Sequence, residues 1–143
     1  YDSLDAYMAD AADIGAAAVP MGMFLTWCAQ MQLLSREFED AHERLVLRVR
    51  MREVHGSELL VAGGGELRSS MFSAQGNAFI DRYYTQYPDD FRNVFELGDG
   101  VLTGVKESWD NYAKLAQVLT ARLMGRKGGG DSLITRWMKK LWR

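Results

Sequence analysis

The sequence contains one cysteine, two histidines and two prolines in 143 residues, and these scarcities exclude several classes of protein. A single cysteine, Cys28, excludes an intrachain disulfide and any CxxC metal or redox motif. His42 and His55 lie thirteen positions apart with no carboxylate at HExxH spacing, so they do not match a zinc site. The sequence therefore predicts neither a metal nor a cofactor.

Motifs that carry catalysis are also missing. Gly63–Gly65 lacks the Lys-Ser/Thr pair of a phosphate-binding loop, and the glycines at 98, 100 and 104 depart from GxGxxG spacing. No GxSxG occurs. Cys28 stands beside Trp27 in an apolar segment, which favours a buried structural thiol over a reactive one. We therefore expect no catalytic residues and a protein that is not an enzyme.

An uncharged run of 22 residues, Ile14 to Ser35, is as long as a membrane span of about 20 residues. Pro20 interrupts it, and Gln30 and Gln32 would need partners in hydrocarbon. The segment before it carries aspartates and no base, whereas a span or signal peptide is usually flanked by positive charge. We therefore expect a central buried helix of a soluble protein, with no integral membrane span.

Charge is unevenly distributed along the chain. The net charge is −2, and residues 126–143 hold six bases and one acid, so residues 1–125 carry −7. An acidic body repels nucleic acid and attracts basic partners within a Debye length of about 10 Å at 0.1 M salt. We expect no nucleic-acid partner. A basic protein partner and simple solubility remain alternative explanations of the acidity.

Hydrophobic periodicity and capping residues predict a mainly α protein. Residues 1–125 should form a single compact domain of about five to six helices with at most short strands. A short helix is expected near Leu4–Asp10. The segment Glu66–Met71 is predicted to form one extended stretch. The main predicted helices are Pro20–Leu34, a helix capped by Ser35 that reaches Arg52, Glu58–Ala62 capped by Ser57, Ala74–Tyr87 capped by Ser73, Phe91–Phe95, and a last helix capped by Ser108 that reaches Met124.

The C-terminal tail forms a second unit, residues 126–143. A Gly-rich linker precedes Asp131, which can cap a basic amphipathic helix carrying Trp137 and Trp142 on its apolar side. Such a short helix is marginal alone in water and needs a surface to lie on. That surface is either the acidic body of the same chain, a partner protein or symmetry mate, or an anionic bilayer.

One part of the body places aromatic rings beside carboxylates. The residues are Asp81, Tyr84, Tyr87, Asp89 and Asp90. Tyrosines give contact area at low entropic cost, and acids complement a basic cleft. We predict a partner-binding surface here, together with Trp137 and Trp142. The alternative is that Tyr83 and Tyr87 are core residues whose hydroxyls reach solvent, while the acids are solvated.

Four segments resemble a family of small uncharacterised bacterial proteins. They are Gly22–Cys28 (GMFLTWC) followed by Leu33-Leu34-Ser35, Arg52–Leu60 (REVxGxELL), Gly76–Phe79 (GNAF) running into Tyr83-Tyr84, and Ser108–Leu115 (SWDNYxKL). The resemblance covers about residues 14–124. The chain departs from the family where Pro20 or Met21 stands in place of a frequent histidine, and it lacks a Trp-His-Tyr stretch near the start.

Genes of this family often stand beside those of secreted polymorphic toxins. The resemblance therefore implies that residues 1–125 form an immunity-like domain. Such a domain would be a non-catalytic cytoplasmic protein that binds a cognate toxin, of a type VI or other polymorphic system, and blocks its active site. The alternative is an adaptor or effector-loading chaperone that holds a partner through the C-terminal amphipathic helix. An enzyme is the least expected reading.

Overall fold

A computed structural model describes residues 1–8, 14–98 and 102–125 of the chain. The predicted tail, with Trp137 and Trp142, lies outside these residues. The strands are β1 (Asp2–Ser3) and β2 (Glu66–Leu67). The helices are α1 (Asp5–Met8), α2 (Ile14–Gln30), α3 (Arg36–Ala41), α4 (Glu43–Arg50), α5 (Gly56–Ala62), α6 (Ala74–Tyr83), α7 (Tyr87–Val94) and α8 (Trp109–Leu123), with 3₁₀ turns at Ser69–Met71 and Tyr84–Gln86. The expected mainly helical single domain is confirmed.

Helix α2 forms the centre of the fold, as its uncharged sequence predicts. Every residue from 17 to 29 is buried. The prediction that Pro20 begins this helix is wrong, because α2 starts six residues earlier and contains the proline. An interior proline costs a helix about 3 kcal/mol. Burial of the whole helix offsets that cost, and the Tyr87 hydroxyl donates a hydrogen bond to the Pro20 carbonyl.

Within the described parts of the chain, no helix combines the length and apolar character needed to cross a membrane. Helix α2 instead contacts protein, chiefly α5, with further contacts to α1, α4 and α8. Its two ends differ, because Ile14 is exposed whereas Ala29 is buried. The apolar run that resembles a span in the sequence is therefore the core of this fold.

Helix α5 crosses α2 at two glycines. A Cβ on Gly56 would lie 2.1 Å from the Gly22 carbonyl oxygen, and a Cβ on Gly22 would lie 2.7 Å from the Ser57 nitrogen. The Thr26 hydroxyl bridges the crossing, donating to the Gly22 carbonyl at 2.8 Å and accepting from the Gly56 N–H at 3.0 Å. The sequence predicts a helix from Glu58 capped by Ser57, but α5 begins two residues earlier, at Gly56. Only glycine permits this close approach to α2.

The helix expected to run from Ser35 to Arg52 is divided. Ser35 caps α3 as predicted, since its hydroxyl accepts from the Phe38 N–H at 3.1 Å. The backbone then leaves the helical region at His42, with φ −127° and ψ 33°, and α4 begins at the next residue. This break divides the apolar positions between the two helices. Phe38 of α3 and Val46 and Val49 of α4 are buried, whereas Ala41 at the end of α3 is exposed.

The C-terminal half follows its caps more closely. Ser73 and Ser108 cap α6 and α8, each hydroxyl accepting a backbone N–H at 3.1 Å. Helix α6 ends at Tyr83 rather than Tyr87, and α7 begins at Tyr87 with Pro88 in its first turn. A proline fits there because its missing N–H would have no partner within the helix.

The small sheet joins the start of the chain to the segment after α5. Strands β1 and β2 pair antiparallel, with Asp2 opposite Leu67 and Ser3 opposite Glu66. The expected extended stretch Glu66–Met71 is therefore only two residues of strand before a 3₁₀ turn. This pairing places Asp2 beside Tyr84, in the 3₁₀ turn between α6 and α7.

Candidate functional site

Two residues of the predicted partner surface are buried inside the fold. Tyr87 is 0% exposed and Asp90 is 7% exposed. Asp90 accepts from the Tyr83 hydroxyl at 2.8 Å and from the Arg122 guanidinium at 2.9 and 3.0 Å. Their assignment to a binding surface is therefore wrong, because Tyr87 fills the core and Asp90 joins α7 to α8.

Tyr84 is also held by internal contacts. Its hydroxyl donates to the Asp2 carboxylate at 2.5 Å, and the Tyr7 hydroxyl donates to the same oxygen at 2.7 Å. Burial raises the pKa of Tyr84 well above its usual value, so the phenol remains a donor. The alternative to a partner-binding surface, that Tyr83 and Tyr87 are core residues, is confirmed by their burial. It is wrong about their hydroxyls, which are bonded to protein groups.

Among the members of the predicted surface that the structure describes, Asp81 and Asp89 are exposed. The Asp89 side chain is 80% exposed, and it pairs with Arg92 one helical turn away at 3.0 Å. Exposed pairs of this kind contribute little to stability. Of the body residues predicted to bind a partner, these two acids keep the accessibility that binding requires.

The Cys28 thiol is structural, as predicted. It is 0% exposed, and burial raises its pKa well above the usual value. A reactive cysteine needs exposure and an electropositive setting that favours the thiolate. Cys28 has neither, so it serves as a small apolar residue of α2.

A half-buried carboxylate stands at the start of α5. Glu107 accepts from the Ser57 N–H at 3.2 Å and from the Ser57 hydroxyl. Burial raises the pKa of Glu107, while these hydrogen bonds oppose the rise. The arrangement resembles a serine beside an acid, but the Ser57 hydroxyl only donates to Glu107, and Glu107 satisfies the Ser57 N–H in the first turn of α5. Sequence reasoning missed it, because fifty residues separate the partners.

A pocket of about 270 Å³ opens between the C-terminal ends of α2 and α4 and the side of α8. Its lining includes Trp27, Gln30, Gln32, Arg50, Arg52 and Tyr112. Ligand sites in proteins usually measure about 300–1,000 Å³. This pocket therefore suits a group no larger than a single ring or a short chain.

Internal hydrogen bonds fix the floor of this pocket. The Trp27 indole donates to the Thr120 hydroxyl at 3.1 Å, and the Tyr112 hydroxyl donates to the Gln30 side-chain oxygen at 2.7 Å. The oxygen of the Gln30 amide is thus engaged, which leaves its NH₂ group as the donor end. The floor therefore combines two buried aromatic rings with an amide whose orientation is set.

Arginines form another part of the wall. The Arg50 Nε donates to the Ala29 carbonyl at 2.8 Å, and its terminal nitrogen pairs with Glu39. Arg52 lies over the Trp109 ring, with Cζ 5.5 Å from the ring centroid. These contacts hold Arg50 rigidly and keep the guanidinium of Arg52 beside an aromatic surface.

The backbone around the pocket adopts a conformation that is unfavourable for its residues. Gln32 and Arg52 have φ of 59° and 61°, and Glu96 elsewhere has φ of 54°. Each stands just past the cap residue of a helix, and the residue after each donates its N–H back to a helix carbonyl at 2.9 Å. Glycine is usual there, because a side chain in this region costs about 1–2 kcal/mol. Two of these three residues line the pocket.

Sequence reasoning missed this pocket entirely. Its lining comes from three segments, and neither Gln32 nor Arg52 forms part of a catalytic or ligand-binding motif. Within residues 1–8, 14–98 and 102–125, no group of three or more His, Cys, Asp or Glu side chains is placed to hold a metal ion. The polar groups of the described pocket are therefore amides, the Tyr112 and Thr120 hydroxyls, the Trp27 indole and guanidinium groups.

Comparison with known proteins gives one match. The family model described as a domain of unknown function, DUF7832, matches residues 2–102. The match spans β1 through α7 and ends before α8. No curated protein and no solved structure matches the chain.

Proposed function

The chain belongs to the DUF7832 family, and we propose that it is a non-catalytic immunity protein. In this proposal it binds a cognate bacterial toxin, of a type VI or other polymorphic system, and covers the toxin's active site. Protection of a cell from competing bacteria would then depend on affinity and fit rather than on turnover. The cytoplasm suits this role, because an unpaired thiol such as Cys28 persists there.

The observation that carries the proposal is that side chains which could be reactive make structural contacts within the fold instead. The Cys28 thiol is buried, the Glu107 carboxylate caps α5, and Asp90 is bound by Tyr83 and Arg122. A catalytic nucleophile needs an adjacent base and access to substrate. These groups are committed to structural contacts instead, which favours a binding protein.

Charge supports the choice of partner. Residues 1–8, 14–98 and 102–125 contain fifteen Asp and Glu against eleven Lys and Arg, and the exposed acids include Asp81 and Asp89. An acidic surface speeds encounter with a basic cleft and lowers affinity for nucleic acid. A toxin that acts on nucleic acid or a nucleotide has a cleft of that kind, because it must hold phosphate groups.

The first test is direct. The product of the neighbouring gene is co-purified with the full chain, and toxicity is measured with and without it. We expect a stable complex and protected cells. Turnover of a substrate by the chain alone, or no interaction with a toxic neighbour, would contradict the proposal.

The second test locates the surface. Asp81→Lys with Asp89→Lys should slow association by about tenfold, more than it speeds dissociation, because exposed charges act mainly on encounter. Glu37→Lys with Asp40→Lys, two exposed acids of α3, makes the same change in total charge elsewhere. Equal slowing by both pairs would show long-range attraction without a binding surface at α6 and α7.

The third test separates the adaptor alternative. If the tail holds the partner, Trp137→Ala with Trp142→Ala in the full chain abolishes capture while the body unfolds at the same denaturant concentration. The immunity proposal expects neutralisation to survive this change. The two outcomes are read from the same pull-down and the same toxicity assay.

A further inference from the structure

Tyr84 and Tyr87 are held inside the fold, but another aromatic ring stands beside the exposed acid of α6. Tyr1 is 46% exposed, and it is the sole aromatic residue among the exposed large apolar side chains of residues 1–8, 14–98 and 102–125. Its hydroxyl donates to the side-chain oxygen of Asn77, seventy-six positions away. The start of the chain thus brings an accessible ring to the surface of α6.

Three contacts hold Tyr1 in place. Its backbone nitrogen donates to the Leu67 carbonyl of β2 at 2.8 Å, and its hydroxyl is fixed by Asn77. Its ring meets that of buried Phe72, with 6.0 Å between the centroids and 60° between the planes. A side chain that is already fixed loses little conformational entropy when it binds. Tyr1 therefore combines exposure with rigidity.

The Asp81 carboxylate lies one helical turn beyond Asn77. Residues four apart on a helix are neighbours, with about 5–6 Å between their Cβ atoms, and Asp81 is exposed. Burial raises the pKa of the Tyr1 hydroxyl, and the charge of Asp81 adds to that rise. An exposed ring and an exposed carboxylate therefore adjoin each other on this side of α6.

The neighbouring cation does not compensate Asp81. Arg82 directs its guanidinium to the Leu123 carbonyl at the end of α8, at 3.0 Å. Among the residues that the structure describes, no ion pair includes Asp81. Ala74 and Ala78 are exposed at helical spacing on the same side of α6, and their small side chains leave room for an incoming group.

A ring beside a carboxylate matches the chemistry of an arginine side chain. The planar guanidinium group stacks on aromatic faces and pairs with carboxylates, whereas the ammonium group of lysine is more strongly hydrated and lacks the planar fork. A cation within about 6 Å of a tyrosine ring centroid is attracted by the ring. The charge of −7 on residues 1–125 also draws basic partners to this body.

We propose that Tyr1 and Asp81 form a binding site for an arginine side chain of a basic protein partner. The guanidinium group packs against the exposed part of the Tyr1 ring and donates to the Asp81 carboxylate. This inference rests on the proposed function, because the toxin would supply the arginine. Its first test uses the chain with a peptide, so the two proposals can fail separately.

The probe is an acetylated tetra-arginine amide, titrated into the full-length, ¹⁵N-labelled chain at low salt and followed by NMR. We expect saturable shifts at the Asn77 and Asp81 amides, with a dissociation constant on the order of 1 mM. The corresponding tetralysine peptide carries the same charge without the planar group. It should bind about threefold more weakly at this site.

Four variants separate the ring from the charge. Tyr1→Ala should weaken the arginine peptide about threefold and abolish its advantage over lysine, whereas Tyr1→Phe keeps the ring and should keep the advantage. Asp81→Asn should weaken both peptides about threefold. Glu37→Gln, at an exposed acid of α3, makes the same change in charge elsewhere and should leave the affinity at this site nearly unchanged. Unfolding by urea checks that all four variants are folded.

Any of three results would overturn the site. The first is no saturable shift at Asn77 and Asp81 at about 10 mM arginine peptide, tenfold above the expected constant. The second is equal affinity of the unmodified chain for the two peptides, which would indicate attraction by charge alone. The third is that a folded Tyr1→Ala or Asp81→Asn chain binds the arginine peptide as tightly as the Glu37→Gln control does.

The complex with the toxic neighbour provides a second measurement. Tyr1→Ala should speed its dissociation about threefold and leave association unchanged, because the ring acts only at contact. An unchanged dissociation rate in a complex that forms would overturn the arginine site and leave the proposed function standing. Absence of any complex would contradict the proposed function, and the peptide titration would still decide whether the site exists.

Discussion

The α2–α5 crossing and the C-terminal ends of α2, α4 and α7 differ in how they use glycine. At the crossing, Gly22 and Gly56 have ordinary φ values, and what matters is the missing Cβ. At the C-terminal ends of α2, α4 and α7 the backbone is left-handed, yet the residues are Gln32, Arg52 and Glu96. Glycine is thus present at the crossing, where space is limiting, and absent at these three helix ends, whereas Gly64 and Gly125 take the left-handed position after α5 and α8.

The comparison is tested most severely at Gly56. Gly56→Ala should destabilise the fold by about 3 kcal/mol or more, because the added Cβ would meet the Gly22 carbonyl and the Thr26 hydroxyl within 2.2 Å. The free energy of unfolding in urea measures the loss. Gly98→Ala is the control, since a Cβ there meets no atom within 4 Å. Equal stability of the two variants would mean that the crossing is not tight.

The next largest effect should come from the hydroxyl at the same crossing. Thr26→Val keeps the shape but leaves the Gly56 N–H without its acceptor, which should cost about 1–3 kcal/mol. Thr26→Ser retains the hydroxyl and should lose less. If serine and valine destabilise equally, packing of the methyl group matters and the hydrogen bond does not.

Substitution by glycine at the left-handed helix ends should increase the stability of the fold. Gln32→Gly, Arg52→Gly and Glu96→Gly each remove a left-handed side chain, and each should stabilise the fold by about 0.5–1 kcal/mol after the entropy of glycine in the unfolded chain is subtracted. Unfolding midpoints measure this gain. A loss at Gln32 and Arg52 but a gain at Glu96 would show that contacts at the pocket outweigh the backbone cost.

The smallest effect concerns pH at the start of α5. Burial raises the pKa of Glu107 in the fold, so the folded state binds its proton more tightly than the unfolded state does. Stability from this group is complete below the unfolded pKa near 4.5 and declines as pH rises through the folded value. Glu107→Gln should abolish this decline. Parallel pH profiles for the two chains would contradict the assignment.

Local signals in the sequence predicted much of the helical framework. Ser35, Ser73 and Ser108 cap helices as expected, because a hydroxyl at the first position satisfies a backbone N–H within the same turn. Burial of Cys28 also followed from its apolar neighbours. Features of this kind depend on residues a few positions apart, which the sequence displays directly.

The errors share a different physical origin. Pro20 lies inside α2 and Tyr87 fills the core, because packing against other helices outweighs local preference. Asp90 looked like a surface acid, but Arg122 of α8 binds it. The pocket was missed for the same reason, since Gln30 and Tyr112 meet across eighty-two positions.

The sequence by itself determined that the protein is mainly helical and that α2 is central. It also determined where α3, α6 and α8 begin. Apolar periodicity and capping hydroxyls act over one or two turns, so they are independent of the rest of the fold. Tertiary structure alone decided which tyrosines and acids are buried, why α5 begins at a glycine and where the pocket forms. Those outcomes depend on contacts between distant segments, which exist only once the helices have packed around α2.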